Sequence, residues 1–564
     1  MSQIPIMAYF SMEIALEPKI PTYSGGLGVL AGDLLRSAAD LKIPMVGVTL
    51  LPRQGYFNQR LDPNGWQTEE PVRWVIEDFL KPLPSRISLV LEGRTVVVRA
   101  WLYSIIGSDG FVVPVYLLDT DLPENTPKDR ELTHRLYGGD ARYRLCQETI
   151  FGIGGVRMLT ALGYERIHRF HMNEGHASLL TFALLEEVME GRQDWVPTSE
   201  DLQLVRRRCV FTTHTPVPAG HDQFPMDMVN KVFGPSEIMS VPALLGGTGV
   251  LNMTALGMNL SEKINAVSKR HGEISRKLFA PHPVQAITNG VHAPTWTSAP
   301  FQELFDRRIP GWKRDNFALR AALILPQEEV WASHQAAKTL LFETIRRLTQ
   351  SQLDVNRFTL GFARRAAGYK RLDLIFSDKE RLKRITEKFG PLQMVFAGKA
   401  HPDDRQGKEL IQRIIKVREE LKEYVRVVYL ENYDMELGKL ITAGVDVWLN
   451  NPEPPLEASG TSGMKAALNG VPSLSTLDGW WVEGHLEGIT GWAIGEDYSP
   501  TESQNRTVTD VQSLYEKLEN VIVPLFIQQR ENFIQVMRTT IAVNGSFFNT
   551  HRMVQQYVSE AYFL

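Results

Sequence analysis

Short unbroken apolar runs alternate along this chain with longer stretches whose apolar positions recur at a helical period. The runs are Ile43–Leu51 (IPMVGVTLL), Cys209–Thr213 (CVFTT), Val284–Ile287 (VQAI), Phe358–Phe362 (FTLGF), Met394–Ala397 (MVFA), Val425–Leu430 (VRVVYL) and Val445–Leu449 (VDVWL). Between them lie segments such as Lys408–Glu423, in which Leu410, Ile411, Ile414, Ile415 and Leu421 share one helical face and the charges take the other. Strands that are apolar throughout are buried on both faces, so the pattern predicts parallel sheets covered by helices on each side. From Phe358 onward the strand–helix alternation is regular and reads as a Rossmann-like domain. The first half also alternates, with irregular insertions such as Arg53–Phe79. A boundary is expected where ITNGVHAPTW leads into a Pro-rich polar stretch, giving domains 1–290 and 291–564. The expected fold is α/β, with two Rossmann-like domains facing a central cleft outside the carboxyl ends of both sheets.

Composition narrows the function classes. A chain of 564 residues is long enough for two cores. Its 43% hydrophobic and 22% charged residues are ordinary for a globular protein. A net charge of −4 argues against broad nucleic-acid binding. Cys146 and Cys209 are too few for a disulfide framework and lack metal-knuckle spacing, which favours a reducing, cytoplasmic setting. The stretch MSQIPIMAYFSMEIALEPK lacks a basic region followed by a long apolar run, so no secretory signal is expected, and no membrane span either.

Three segments could carry chemistry. Tyr23 opens YSGGLGVLAGDLLRSAADL, where Gly25, Gly26 and Gly28 precede a helical pattern. Such a turn presents bare N–H groups to an anion, or is simply a turn. GFARRAAGYKRLDL, Gly361–Leu374, places Arg364, Arg365, Lys370 and Arg371 at the end of a predicted strand, as a dianion site or as a solvated basic surface. NPEPPLEASGTSGMKAALNG follows the strand VDVWLN and leads through a small-residue loop into a helix carrying Lys465. That lysine is either a surface residue pointing into water, which spacing alone favours, or a shielded amine with a depressed pKa and nucleophilic character. HMNEGH, His171–His176, has no metal-ligand spacing. It reads as a polar loop in which Glu174 and His176 could bind a polyol, and no metal is expected.

Taken together, these segments resemble the α-glucan (glycogen, starch, maltodextrin) phosphorylases. YFSMEIA, SGGLG, GYFNQRLDPNGWQ, LYGGD, FTTHTPVPAGHDQF, ITNGVHAPTW, RRAAGYKR, EASGTSGMK and TLDGWWVEG have counterparts there in the same order, most closely in the short bacterial and archaeal branch. The resemblance implies a glycosyltransferase-B architecture whose C-terminal helix packs back on the first domain. It implies release of α-glucose 1-phosphate from the non-reducing end of α-1,4-glucans by phosphate, with retention. It implies pyridoxal 5′-phosphate held as a Schiff base on Lys465, with the cofactor's phosphate as proton donor and acceptor.

By the same resemblance, Arg365 and Lys370 bind substrate phosphate, with Tyr369 beside them. Arg364, Gly460 and Thr461 adjoin the cofactor phosphate, and Thr461 also adjoins glucose. Gly25, Gly26 and Leu27 present N–H groups, Gly26 on the cofactor side. Tyr9 and Trp296 line the cofactor pocket. Glu457, Asn289 and His214 contact glucose hydroxyls, the His214 carbonyl facing the anomeric carbon, and Asp140 lies in an acidic loop near the reaction. A homodimer is the family expectation.

Departures from the larger members are visible. Only eight residues precede Tyr9, so control by phosphorylation or AMP through an N-terminal segment is not expected. Ala366, Ala367 and Gly368 replace bulkier polar residues, and HMNEGH carries glutamate and glycine in place of aspartate and threonine. The alternatives are a nucleotide-sugar-dependent glucan synthase of the same architecture, which would not need Lys465, and a non-catalytic glucan-binding descendant.

Overall fold

Two sheets organise the chain. The first has nine strands, and its chain order is interrupted by two small ribbons. In sequence the strands are β1 Ile6–Ser11, β2 Met45–Leu50, the ribbon β3 Asn58–Leu61 and β4 Gln67–Glu70, β5 Lys81–Leu91, β6 Arg94–Ile106, β7 Val112–Asp119, β8 Ile167–Asn173 and β9 Cys209–Thr212. The ribbon β10 Gln223–Pro225 and β11 Val250–Asn252 follows, then β12 Lys263–Ala266 and β13 Val284–Ala286. The sheet order is β13-β12-β9-β8-β1-β2-β7-β6-β5. Pairing is parallel from β13 to β7, and the β5–β6 hairpin closes the edge antiparallel. The computed structural model describes residues 6–192, 196–216, 221–234, 244, 246, 249–497 and 506–563. Residues 217–220 of the segment FTTHTPVPAGHDQF therefore lie outside the described residues.

The second sheet is wholly parallel: β14 Thr359–Ala363, β15 Leu392–Ala397, β16 Val425–Leu430, β17 Val447–Asn450, β18 Ser473–Thr476 and β19 Gly491–Ile494, in the order β16-β15-β14-β17-β18-β19. This is the doubly wound order, in which the sheet grows outward from β14 on both sides. Every residue of β14, β15, β17, β18 and β19 is buried, as continuous apolar runs require. The predicted amphipathic segment is the helix Arg405–Glu420, which buries Leu410, Ile411, Ile414 and Ile415.

The edge hairpin was not among the predicted elements. In β5 buried and exposed positions alternate rather than form a run, because one of its faces meets water. The irregular insertion 53–79 acquires a clear role. Its ribbon carries Gln59 and Gln67, both fully buried. Gln59 Nε2 donates to the Gly398 carbonyl at 2.8 Å, Gln67 Nε2 to the Ala400 carbonyl at 2.9 Å, and the Gln59 N–H to Asn432 Oδ1 at 3.1 Å. The insertion is thus hydrogen-bonded to the loops that follow β15 and β16.

Residues near the other end of the chain bond to the first sheet. Tyr562 is fully buried and its hydroxyl lies 2.7 Å from His171 Nδ1 on β8. The Tyr557 hydroxyl, on the helix Thr550–Tyr557, accepts from Asn265 Nδ2 at 3.0 Å and lies 3.2 Å from Thr212 Oγ1. Thr550 Oγ1 meets Ser37 Oγ at 2.6 Å.

Candidate active site

In an open α/β sheet, a crevice forms where two adjacent strands send their following chains in opposite directions. In the second sheet those strands are β14 and β17. The chain after β14 is Arg364–Lys370, and the chain after β17 runs from Asn451 to the helix Ser462–Leu468. In the first sheet β1 has β2 on one side and β8 on the other, so the crevice lies between the chain after β1, up to Gly25, and the chain after β8, from Glu174. The sequence motifs coincide with these four loops.

Arg364 and Lys370 are buried and converge on one carboxylate oxygen of buried Glu457. Arg364 Nη2 donates to Glu457 Oε2 at 2.5 Å, and the Lys370 ammonium donates to the same oxygen. One carboxylate between two cations leaves a positive charge uncompensated. Burial, with Arg364 beside it, pushes the Lys370 amine down to about 7 despite the pull of Glu457. Burial alone would raise the Glu457 carboxyl, but the two cations outweigh it and hold it at about 2. Arg364 Nη1 is buried with no hydrogen-bond partner among the described residues, so this guanidinium still has a donor to offer. Arg365 is exposed, and no ion pair engages it among the described residues. Lys370 also lies 4.4 Å from the Tyr369 ring centre. Glu457 is anchored through its own N–H, which donates to Asp478 Oδ2 at 2.8 Å.

Lys465 corrects the surface reading that spacing favoured. It is 6% exposed, because its short helix has no polar face: Gly463, Met464, Ala466, Ala467 and Leu468 are buried with it. The small residues are explained in part by packing. A Cβ on Gly463 would come within 2.8 Å of the Trp480 ring, and Gly460 turns at a φ of 77°, where glycine is favoured. The Lys465 ammonium sits 3.7 Å from the centre of the Trp296 ring. Trp296 Nε1 in turn donates to Asp33 Oδ2 at 2.6 Å. Burial pushes the Lys465 amine down to about 8, only partly countered by Asp33. An amine attacks carbonyl carbon in its neutral form. The rate at which Lys465 reacts with an aldehyde therefore rises with pH through about 8 and levels off above it; stopped-flow absorbance of cofactor-free protein mixed with pyridoxal phosphate checks this. A rate still climbing tenfold per unit beyond pH 9.5 is the contrary result, that of an ordinary lysine, at about 10.4. Thr461 caps this helix without spending its side chain on the cap.

On the first sheet, the glycine turn is held by a residue that the motif reading missed. Glu13 Oε2 accepts from the N–H of Ser24 at 2.5 Å and of Gly25 at 3.1 Å, and Glu13 Oε1 accepts from the Tyr137 hydroxyl at 3.1 Å. Gly26 and Leu27 then begin the helix Gly26–Asp40, whose first turn has no side-chain cap. A lone carboxylate in the apolar stretch MEIAL was the available signal. Asp33, on the buried face of the same helix with Leu30 and Leu34, was another.

The remaining predicted residues fall as follows. His214 donates its backbone N–H to Glu174 Oε2 at 2.7 Å, and its Nε2 lies 2.6 Å from Asn173 Oδ1; burial pushes its imidazole down to about 3, so it is neutral. Glu174 is buried at a φ of 76° and accepts three hydrogen bonds, yet burial still raises its carboxyl to about 7. His176 Nε2 lies 3.4 Å from Asp222. Asn289 is buried, with its Oδ1 unpartnered among the described residues. Asp140 is exposed and caps the helix Ala141–Ala161 by accepting from the Tyr143 N–H at 2.8 Å. Tyr9 is buried on β1, with its ring centre 4.9 Å from that of His171 in an edge-on arrangement and with Tyr557 and Tyr562 nearby.

Residues 236–489 match the family model described as carbohydrate phosphorylase. The maltodextrin phosphorylase of Thermococcus litoralis is 40% identical over 98% of this chain and 70% of its own length. The glycogen phosphorylase of Aquifex aeolicus is 35% identical over 99% of this chain and 86% of its own length. That of Mycobacterium tuberculosis is 36% identical over 99% and 70%.

Proposed function

The chain belongs to the carbohydrate phosphorylase family, and from that premise we propose that it is an α-glucan phosphorylase that releases α-glucose 1-phosphate from the non-reducing end of α-1,4-glucans. It is a glycosyltransferase, and its glucan is of the glycogen or maltodextrin kind that its relatives are named for. Domains 1–290 and 291–564 form a glycosyltransferase-B pair across a cleft, with the C-terminal helix serving the first. Cytoplasmic action as a homodimer completes the proposal; no helix among the described residues is long and apolar enough to cross a membrane.

The family uses pyridoxal phosphate, and the residues here suit it. A buried amine with a lowered pKa, a ring face beside it and a buried guanidinium donor without a partner are what an aldehyde, an aromatic ring and a phosphate need. Lys465 would hold the cofactor covalently, Trp296 would lie against it, and Arg364, Gly460 and Thr461 would take its phosphate, with Gly26 opposite. When bound, that phosphate supplies a proton donor and acceptor.

The chain's own side chains then do the rest. Arg365 meets the incoming phosphate at the mouth of the crevice. Lys370 and Tyr369 hold it inside, where low polarity strengthens each contact. Glu457 and Asn289 fix glucose hydroxyls, Gly25 and Leu27 present N–H groups, and the His214 carbonyl faces the developing positive charge at the anomeric carbon. Asp140 borders the loop near the reaction, and Tyr9 would line the cofactor pocket. No carboxylate of the chain acts as nucleophile, and configuration is retained.

The observation that carries this reading is the pairing of two buried cations with Glu457 at a switch point shared with buried Lys465. Incubation with a maltooligosaccharide series and inorganic phosphate should yield glucose 1-phosphate, with shortening of the chains by one unit. Chain elongation from ADP- or UDP-glucose, with no phosphate-dependent product, would overturn it in favour of the synthase alternative.

A further inference from the structure

Two groups of ligand-type side chains converge among the described residues: Glu148, His176 and Asp222, and Asp40, His292 and His551. They differ in what neutralises them. Arg144 already binds both carboxylates of the first group, Glu148 at 3.0 Å and Asp222 at 3.2 Å. In the second, the ion-pair partners of Asp40 among the described residues are the two histidines. Asp40 is also the last residue of the helix Gly26–Asp40, where the helix dipole favours a cation.

The donor atoms suit a small divalent metal. His292 Nε2 lies 2.8 Å and His551 Nε2 3.4 Å from the same oxygen, Asp40 Oδ2, and all the donor atoms of the group fall within 4.8 Å of one another. Ligands about 2.0–2.1 Å from a tetrahedral zinc stand about 3.4 Å apart, so small shifts would suffice. The flanking contacts orient the ligands as metal sites require. His292 Nδ1 lies 2.6 Å from Thr295 Oγ1, and Asp40 Oδ1 accepts from the Ser108 N–H at 2.7 Å. His551 is 4% exposed, and among the described residues its Nδ1 is buried without a partner and its Nε2 makes only the long contact to Asp40. Neither nitrogen is well used without a further ligand.

We propose that Asp40, His292 and His551 form a binding site for a zinc-like divalent transition metal, with two imidazoles, one carboxylate and a remaining position for water. The site ties three distant segments together: the end of the Gly26–Asp40 helix, the chain after β13 and the C-terminal helix. It also bears on the lysine. The His292 N–H donates to Asp33 Oδ2 at 3.2 Å, the oxygen that holds Trp296 Nε1, and the turn Ala293–Trp296 follows His292 directly. Fixing His292 fixes the ring that covers Lys465.

The test uses the untagged full chain, stripped with a chelator and titrated with zinc chloride in a calorimeter. One equivalent should bind per chain with micromolar or tighter affinity, and zinc should raise the melting temperature by about 2 °C or more. Cobalt in its place should give the visible absorption of a four-coordinate ion, a reading that needs no variant. His551→Gln and Asp40→Asn should lose both the binding and the zinc-dependent shift, while His176→Gln keeps them. The proposal is overturned if the native chain takes up no stoichiometric zinc, if His551→Gln binds it as the native chain does, or if His176→Gln is the variant that loses it.

Discussion

Alanine in place of Lys465 abolishes glucose 1-phosphate formation while the protein stays folded. Losing the residue that would hold the proton-transferring group removes general acid–base catalysis, a factor of about 10²–10⁴, and with it the occupant of the crevice. Folding should not suffer. Ala is the best helix former, and the substitution removes a desolvated ammonium from a site where burial already disfavours the charge. Lys465→Arg should fail equally, because a guanidinium does not deprotonate in proteins and cannot act as an amine. The measurements are phosphorolysis rate, melting temperature and peptide mapping after borohydride reduction. Native turnover in Lys465→Ala, or a borohydride-stable label on another lysine, would refute the assignment.

Substitution of Arg365 by alanine weakens the use of phosphate far more than the binding of glucan. Arg364 and Lys370 are buried on Glu457, whereas Arg365 is exposed and without an ion pair among the described residues. Removing it breaks no buried contact, so stability should change by less than about 0.5 kcal/mol. Loss of one positioned donor to a developing charge costs about 10²–10³ in rate, roughly 2.7–4 kcal/mol. The expected signature is a fall of that order in kcat/KM for phosphate, with glucan affinity nearly unchanged, read from initial rates with each substrate varied in turn. Equal losses for both substrates would make Arg365 a structural residue.

Much of this was legible in the sequence, and what was missed has physical causes. Strands buried on both faces, such as Thr359–Ala363, announce themselves as apolar runs, and their bounds agree within two residues. The edge strand Lys81–Leu91 does not, because one face is wet and two prolines interrupt it. Strand order is invisible in one dimension: nothing in FTLGF or VDVWL says that β14 and β17 are neighbours, yet that adjacency brings Arg364 to Glu457. The loop motifs found the cations and the lysine. They did not find Glu13 or Asp33, whose roles appear only when a carboxylate on a neighbouring segment meets a backbone N–H or an indole. Lys465 was misjudged on spacing alone because burial belongs to the layer above it, not to its own seven-residue helix.

The tyrosines near the end of the chain set a condition on biosynthesis. His171, Thr212 and Asn265 belong to the first sheet, but their buried partners are Tyr557 and Tyr562, separated from them in sequence by the whole second sheet. On the ribosome, the first half is translated long before those rings emerge from the exit tunnel. Until then one layer of it stays open to water, with polar groups unmatched and apolar neighbours uncovered. The nascent amino-terminal half is therefore a natural client for a chaperone until the chain that follows the second sheet has been made.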